Sequence, residues 1–574
     1  MEPNEKSDSK FYDLTKHEKS GESDVQKDGK SLSSNKKVLL VTLCILVTEM
    51  CERLTYYSIM AGLVLYCTST LKFGQTDATT INQVFAGIAY VIPILGGFIA
   101  DSYLGRYKTI LGSSCIYIAG VLLLPASAID YESWGWEATD KTAKTAMFMT
   151  GLVLVAIGTG GIKANVGPFG AEQVGILGNE AIQSFFNWFY WVINVGALIA
   201  YAGVAYIQQN VSFAWGFFVP LASMIVAVMV FVIVRSKYVM TQPKGSILTT
   251  AWGICLEGGC KSRPEKNPDL PEGCEKRILA KAKTSFGGGF QDHLVDGVVS
   301  VIRVTPFCLL VIMYWAIYSQ MSNTFFAQSE RMDIRVGDGG YIPAAALNVF
   351  NTVSIIILIP IVDRLIYPCF EKIKRPLTYL KRIGIGMLLS VLAVVVAGIV
   401  EIYRKEDLHE HSHIQVLGGE NFTASSMSVF VQIPQFALIG ASEIFTSITT
   451  LEFAYNQAPV AMQGLLTGLF LAASGIGNWV STAILAIVQA ATESNPWWCD
   501  EINECKMEYL MFLLGGLMLI NFFVFCIVAH FYTYQDPATF EESVTKQNVD
   551  DVEFEKKLPK DTYMLNSNYN NGVD

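Results

Sequence analysis

Charged residues are scarce in this sequence. Asp, Glu, Lys and Arg make up 16% of the 574 residues, and apolar residues make up 52%, whereas about a quarter of the residues in a soluble protein are charged. The apolar residues come in blocks long enough for a helix to cross about 30 Å of hydrocarbon. The sequence therefore predicts an all-α membrane protein with many spans. The net charge of −10 arises mostly in the tails and loops and says little about partners.

Metal-binding and targeting signals are also lacking. The 12 cysteines show no zinc-type spacing, and most lie in apolar blocks, where a thiol behaves as a small hydrophobic group. Cys499 and Cys505 share one short polar loop and are candidate disulfide partners if that loop faces an oxidising compartment. We interpret HEHSH, His409–His413, as a solvated loop and not as a metal site. No cleavable signal peptide is expected before the first span, and we predict no cofactor, no metal and no nucleic-acid partner.

Twelve membrane spans can be counted, six on each side of a long polar stretch. Residues 235–302 are predicted to be a cytosolic linker between two six-helix bundles, 38–234 and 303–532. Residues 1–37 and 533–574 are polar tails, and the composition of the first predicts disorder. The predicted spans are Val38–Cys67, Ile81–Leu104, Thr109–Ile129, Ala146–Val166, Phe185–Ile207, Ala214–Val234, Val304–Phe326, Ala344–Ile366, Leu380–Ile402, Ser428–Thr449, Leu465–Ala490 and Tyr509–Phe531.

Basic residues in the short loops indicate which side is cytosolic. Arg106, Lys108 and a basic group after the eighth span would lie on the cytosolic side together with both tails. The acidic loop around Asp500 would lie on the opposite side. The sequon that begins at Asn421 would then be a glycan acceptor on the outer side. The sequence leaves two locations open, the plasma membrane and the endosomal or lysosomal membrane.

The first span has ionisable residues near its middle: Glu49, Glu52 and Arg53 lie in the segment TEMCERLTYY. Successive helical residues are about 100° apart, so these side chains share one arc with Tyr56 and Tyr57. A charged side chain at the centre of a span costs about 2.5–3.5 kcal/mol if it faces lipid. This face is therefore expected to look into protein or a water-filled cavity. A Glu–Arg pair that joins two helices would explain only one of the glutamates.

Lys163 in the fourth span and Glu443 in the tenth are further charges at membrane depth. Together with the residues of the first span they leave one surplus negative charge, which in a low-dielectric cavity favours binding of one proton or one cation. Opposite charges on both bundles also suit a zwitterionic ligand with separated ends. This pattern predicts ion-coupled transport, because helix packing alone does not explain it.

Other segments have polar residues within apolar surroundings. GGFIADSYLGRYK bridges the second and third spans. Its glycines allow close helix approach, Asp101 can pair with a basic residue or a helix N-terminus, and Arg106 would anchor the loop at the inner surface. We interpret the segment as a gate latch. Asn194 and Asn351 place amides at membrane depth, where each needs a partner in the protein or in a ligand.

With these motifs the sequence resembles the proton-coupled oligopeptide transporter family, within the major facilitator fold, over essentially all twelve spans. TEMCERLTYY is similar to the family's ExxERFxYY, with Leu54 in place of Phe. GTGGIKANVGPFGAEQV is similar to GxGGIKPxVxxFGxDQ, with Ala164 in place of Pro. GGFIADSYLG, FYWVINVGALI and SEIFTSITTLEFAYNQAP resemble further family segments. FFNWFYW, AYIQQNVSF and LEFAYNQAP look most like the animal peptide/histidine transporter branch.

The resemblance implies a transporter and not an enzyme: a symporter that carries di- and tripeptides, with histidine as a further candidate, into the cytosol with protons. Alternating access between the two bundles would move the substrate. Glu49, Glu52 and Arg53 would form the proton-linked cluster, with Lys163 as its partner. Glu443 would receive the amino terminus of the peptide. The implied substrate site consists of Tyr57, Tyr90, Asn194, Asn351, Glu443, Phe470 and Ser474.

Two positions depart from the family pattern. Ser319 precedes Gln320 in the seventh span, where many members have an acidic residue, which leaves coupling through that helix open. Phe470 stands where many members have a tryptophan, so we expect a different pocket shape. Two other functions stay open: a carrier of nitrate or another small solute, whose plant members commonly lack the glutamates of the first span, and a peptide-binding sensor or scaffold. The tails identify no protein partner.

Overall fold

The computed structural model describes residues 24–132, 140–243, 245–260, 279–336, 340–459 and 462–535. The predicted N-terminal tail is helical from Asp24 onward, and its residues 1–23 lie outside the described residues. Most of the predicted C-terminal tail and the middle of the predicted linker, residues 261–278, also lie outside them.

The first bundle contains the predicted spans one to six. A π-helical turn, Ala100–Leu104, extends the second helix, and another, Ile199–Val204, joins the sixth helix to the seventh. The helices are α1 (Asp24–Ser69), α2 (Gln75–Ile99), α3 (Arg106–Ala128), α4 (Lys141–Lys163), α5 (Val166–Val174), α6 (Asn179–Leu198), α7 (Ala205–Asn210) and α8 (Phe213–Ile233).

The second bundle contains the predicted spans seven to twelve. Two of its long helices are also interrupted by π-helical turns, Val362–Ile366 and Ile444–Ile448. The helices are α10 (Asp292–Tyr318), α11 (Thr324–Ser329), α12 (Asn348–Ile361), α13 (Tyr367–Lys372), α14 (Tyr379–Glu410), α15 (Ile433–Glu443), α16 (Thr449–Asn456), α17 (Gln463–Ala491) and α18 (Met507–Phe531).

In the part of the chain that the structure describes, 11 helices are long and apolar enough to cross a membrane. Helix α1 is not among them, because Glu49, Glu52 and Arg53 interrupt its apolar run, although its 46 residues exceed the length that a crossing needs. The prediction of a helical membrane protein is therefore confirmed. The close approach predicted for the GGFIADSYLG segment also occurs: a Cβ atom on Gly96 would overlap the carbonyl of Gly160 on α4.

The predicted linker differs from the structure in two ways. It contains a helix, α9 (Ile247–Cys260), that the sequence analysis did not predict. Helix α10 begins at Asp292 and not after residue 302, because buried Val295, Val298 and Val301 at three-residue spacing continue its inward-facing side. The charges of this segment had suggested a polar linker.

One end of the molecule, which we call the hairpin end, contains a two-stranded antiparallel sheet of β3 (Ser412–Leu417) and β4 (Glu420–Ser425). A second small pair, β1 (Arg335–Val336) and β2 (Gly340–Tyr341), lies in the same half of the chain. The opposite end, the linker end, contains α9. The HEHSH stretch is not a loop, because α14 continues to Glu410 and β3 begins at Ser412.

The predicted disulfide and glycan positions both lie at the hairpin end. Cys499 and Cys505 are paired, with Cα atoms 6.1 Å apart, in the loop that precedes α18. Asn421 is exposed on β4 and lies opposite Val416 of β3. A glycan at Asn421 would therefore meet no steric obstacle from its own strand, and its presence stays a prediction.

Candidate functional site

The charged residues of α1 lie inside the protein. Glu49, Glu52 and Arg53 are 1%, 0% and 8% exposed. Arg53 Nε donates a hydrogen bond of 2.7 Å to Glu49 Oε1, one helical turn away, and lies 3.0 Å from Glu52 Oε2. Neither oxygen of Glu52 has a hydrogen-bond partner among the described residues. One guanidinium thus faces two carboxylates within this cluster.

Lys163, the last residue of α4, was expected to be the partner of these carboxylates, but the structure places aromatic rings around it. Its Nζ atom lies 3.6 Å from the centre of the Tyr56 ring and 4.0 Å from that of Tyr90. Within the described part of the chain this Nζ atom has neither an ion pair nor a hydrogen bond. Cation–π contact stabilises an ammonium group that has left water, so the rings of Tyr56 and Tyr90 can hold the buried Lys163 ammonium group in this conformation.

A cavity of about 170 Å³ lies between the two bundles. Both bundles contribute aromatic and amide side chains to its wall, and Glu443 is the one Asp, Glu, Lys or Arg among the lining residues described. The tyrosines are Tyr56, Tyr57, Tyr90, Tyr190, Tyr201 and Tyr318, and the asparagines are Asn82, Asn194, Asn323, Asn348, Asn351 and Asn478. Such a wall offers many neutral donors and acceptors and a single negative charge.

Glu443 ends α15, directly before a π-helical turn. Tyr318 and Asn351 contact its carboxylate, and Asn351 Nδ2 donates to Tyr318 Oη at 3.4 Å. The Oε2 atom of Glu443 has no hydrogen-bond partner in the described residues. A carboxylate in this position, held by neutral groups and directed into a cavity, can accept a cationic group of a ligand.

Most of the predicted substrate residues meet at this cavity. Tyr57, Tyr90, Asn194 and Ser474 line it together with Asn351 and Glu443. Phe470 does not line it, because its ring packs edge-on against Trp315, with centroids 5.8 Å apart, and Trp315 forms the wall. The predicted role of Phe470 in contacting the ligand is therefore not what the structure shows: Phe470 supports a lining residue from behind.

The predicted gate latch, Asp101 and Arg106, lies at the linker end. Arg106 Nη2 is 3.7 Å from Asp101 Oδ1, and Arg106 Nη1 bonds to Glu172 of α5. Glu172 also accepts a 3.0 Å bond from Thr241, just after the first bundle. In the described residues these contacts join helices of the first bundle to the start of the linker and do not reach the second bundle.

Several cavity residues, and one buried ion pair away from the cavity, were not predicted from the sequence. Trp315, Tyr318 and Tyr201 looked like ordinary apolar-span residues, and only the helix crossing brings them to the cavity. Glu401 and Arg404 form a second buried ion pair, in α14, at 2.6 Å. Their spacing of three residues at the end of the ninth span was a detectable signal, since charged side chains at i and i+3 face each other on a helix.

Comparisons with known proteins agree on the family. The sequence profile of the POT family matches residues 107–504. Protein NRT1/PTR FAMILY 8.1 of Arabidopsis thaliana is 35% identical over 538 residues, which cover 86% of this chain and 93% of that protein. Solute carrier family 15 member 3 of Mus musculus is 29% identical over 543 residues, 87% of this chain and 93% of the relative.

Solved structures show the same fold. A crystal structure of an auto-inhibited POT family peptide transporter superposes with a TM-score of 0.68 at 24% identity, and covers 86% of this chain and 98% of the other. The crystal structure of the POT family transporter PepTSo gives the same TM-score and identity over 85% of this chain and 97% of the other.

Proposed function

The chain belongs to the POT family of proton-coupled transporters and is not an enzyme, and from this premise we propose that it is a symporter that carries di- and tripeptides into the cytosol together with protons. The cavity between the bundles supports this proposal. Its wall carries one carboxylate, Glu443, and a buried carboxylate cluster on α1 lies in the opposite bundle. A peptide's α-ammonium group fits the first, and a proton fits the second.

The amide-rich wall suits the peptide backbone. Each peptide unit has one N–H donor and one carbonyl acceptor, and a buried peptide that leaves these unmade loses about 1–3 kcal/mol for each group. Asn194 and Asn351 face the cavity from opposite bundles and can satisfy such groups. Histidine, the further candidate substrate, has the same α-ammonium group for Glu443 and an imidazole that can pack against the tyrosines.

The proposed role of the proton follows from the balance of charges around α1. Arg53 neutralises one of the two α1 carboxylates, and the Lys163 ammonium group contacts aromatic rings and forms no ion pair with a described residue. Either a proton on Glu52 or movement of Lys163 toward it would complete the balance. Coupling follows if substrate binding depends on which of these two states is populated.

An anion such as nitrate fits this cavity less well. The lining residues described include a carboxylate and no lysine or arginine, so an anion entering this conformation would gain no opposite charge there. The nitrate carrier is therefore the second candidate, and the peptide-binding sensor or scaffold is the third. We propose that both termini and the linker end are cytosolic, in a plasma or endolysosomal membrane.

The test is uptake of radiolabelled dialanine into liposomes that contain the purified full-length protein. We expect accumulation when the outside is acidic, none at equal pH on both sides, and none after a protonophore. Accumulation at equal pH would refute the coupling, and accumulation of labelled nitrate without dialanine would favour the anion carrier. Saturable peptide binding without any flux would favour the sensor.

A further inference from the structure

The hairpin end of the cavity is closed by a small group of neutral side chains. Gln83 of α2 donates to Ser481 Oγ of α17 at 2.8 Å, and Thr482 donates to Gln83 Oε1 at 2.5 Å. Gln320, two residues after α10 ends, donates to the same Ser481 oxygen at 2.8 Å. The side chains of Gln83, Ser481 and Gln320 are buried. We call Gln83, Gln320, Ser481 and Thr482 the amide lock.

A second contact continues the amide lock toward the cavity. Asn82 of α2 donates to Asn323 Oδ1 at 3.1 Å, and Asn323 donates to the carbonyl of Ser319 at 2.7 Å. Asn82, Ser319 and Asn323 all line the cavity. The lock and this contact therefore form the wall that separates a ligand in the cavity from the hairpin end.

The amide lock contains no group that gains or loses a proton near neutral pH. Helix α17 has no charged residue from Gln463 to Ala491, and α10 with α11 has none from Val304 to Ser329. The nearest titratable side chains on the packed elements lie beyond it in both directions. They are Asp77 of α2 and Asp500 toward the hairpin end, and Tyr90, Tyr318, Glu443 and the charged residues of α1 toward the cavity.

We propose that Gln83 is the positioning residue of a proton-independent lock, which closes the cavity at the hairpin end by exchanging amide and hydroxyl hydrogen bonds. This inference rests on the proposed transport cycle and assigns closure of the hairpin end and proton binding to different groups of residues. Ser319, which lines the cavity beside the lock, is neutral as well, so this closure is built without a titratable group. Protons then act through the buried carboxylates and not through the contact between α2 and α17.

The experiment measures opening of the hairpin end without any substrate. Spin labels are attached to cysteines at Val211 and Val416, which are 64% and 62% exposed on the first and second bundle. The cysteines that are exposed among the described residues, Cys115, Cys255, Cys369 and Cys526, are first replaced by serine, together with Cys260 and Cys274. Distance distributions in nanodiscs at pH 5.5 and 7.5 give the open-to-closed ratio of the full-length protein.

Gln83→Ala should raise the open-to-closed ratio about tenfold, since two hydrogen bonds between the bundles are lost, and by the same factor at both pH values. Gln83→Glu keeps the shape but adds a carboxylate, so its ratio should rise at pH 7.5 and fall back toward wild type at pH 5.5. Gln183→Glu, at an exposed position of α6, is the matched charge control and should change neither ratio.

An effect of Gln83→Ala that differs about tenfold between the two pH values would overturn the proton independence, and no effect at either pH would overturn the lock. If Gln83→Ala fails to fold, Thr482→Val removes one bond with little change in shape and should give a smaller shift that is again equal at both pH values. These readouts need neither substrate nor gradient. Failed dialanine uptake with an intact lock result would therefore contradict the proposed function alone.

Discussion

The ammonium group of Lys163 lies over the Tyr56 ring, 3.6 Å from its centre. One helical turn of α1 separates Tyr56 from Glu52, whose carboxylate lies 3.0 Å from Arg53 Nε and has no hydrogen bond to a described residue. The Tyr56 ring thus contacts the cation, and the same helix carries an anion that attracts it. A state in which Lys163 pairs with Glu52 would require the ammonium group to move away from the centres of the Tyr56 and Tyr90 rings. We infer that protonation of the α1 cluster and release of Lys163 are alternative ways to reach charge balance.

Lys163→Ala should abolish proton-driven uptake of dialanine, to the level of liposomes without protein. The variant removes the mobile cation, so the second α1 carboxylate keeps its proton through the cycle and no proton is released. Exchange of labelled for unlabelled dialanine at equal pH should persist, because the cavity wall is intact. Lys163→Arg is the matched control that keeps the charge. Driven uptake at wild-type level in Lys163→Ala would remove this residue from the mechanism.

Glu443→Gln should weaken binding of free-amine dipeptides by about thirtyfold, since losing one partner of a buried charge pair costs about 2 kcal/mol or more. N-acetylated dipeptides offer no cation, so their weaker competition should hardly change. The measurement is competition by both ligand types against labelled dialanine, in wild type and mutant. An equal loss for both types would mean that Glu443 serves proton transfer or folding. Asn478→Asp adds a carboxylate elsewhere in the same cavity. Comparing it with wild type and with Glu443→Gln shows how binding depends on the position of the negative charge.

The α1 cluster could be predicted because helical periodicity alone decides which of its side chains share a face. The resemblance to the family implied one site for Tyr57, Asn194, Asn351 and Glu443, and all four line the same cavity. The rings around Lys163 could not be predicted, because they depend on how α2 and α4 cross α1. The position of Phe470 behind Trp315 depends in the same way on helix rotation, which no spacing within one span specifies.

The boundaries of the helices were less predictable than their existence. Apolar runs mark where a helix crosses hydrocarbon, but a helix continues beyond the bilayer wherever protein covers one of its faces. Helices α10 and α14 both extend beyond the predicted spans, and the buried pair Glu401–Arg404 lies where the predicted ninth span ends and α14 continues. A window that searches for apolar residues ends at these charges, although they are fully buried.

Arg404→Leu should destabilise the protein by about 3–5 kcal/mol, because the variant leaves Glu401 as an uncompensated buried charge. Arg404 Nε and Nη2 donate to the two Glu401 oxygens at 2.8 and 2.6 Å. The double variant Glu401→Leu with Arg404→Leu should recover most of the loss. The stabilities of wild type, single variant and double variant are compared by heating the proteins in detergent and measuring the remaining folded fraction by size-exclusion chromatography. A double variant less stable than Arg404→Leu would show that the pair itself stabilises the fold.

Glu330 follows α11 at the hairpin end and makes stability depend on pH. Its side chain is fully buried, its oxygens have no hydrogen-bond partner in the described residues, and the nearest Arg331 nitrogen is 3.9 Å away. Burial raises the pKa of Glu330 from 4.5 to about 7; Arg331 opposes this rise and Glu501 adds to it. Folding therefore takes up a proton between these two pKa values, so stability should fall as pH rises from 4.5 to about 7 and then level off.

Glu330→Gln should therefore stabilise the protein at pH 8, by up to about 3 kcal/mol, since each pKa unit corresponds to about 1.4 kcal/mol. Near pH 4.5, where wild-type Glu330 is protonated in the folded protein, the two proteins should unfold at similar temperatures. Glu504→Gln, in the acidic loop before α18, is the matched control, because its carboxylate is exposed and its loss should shift unfolding equally little at both pH values. A Glu330→Gln protein that gains no stability between pH 4.5 and pH 8 relative to wild type would show that the Arg331 guanidinium fully compensates the buried carboxylate.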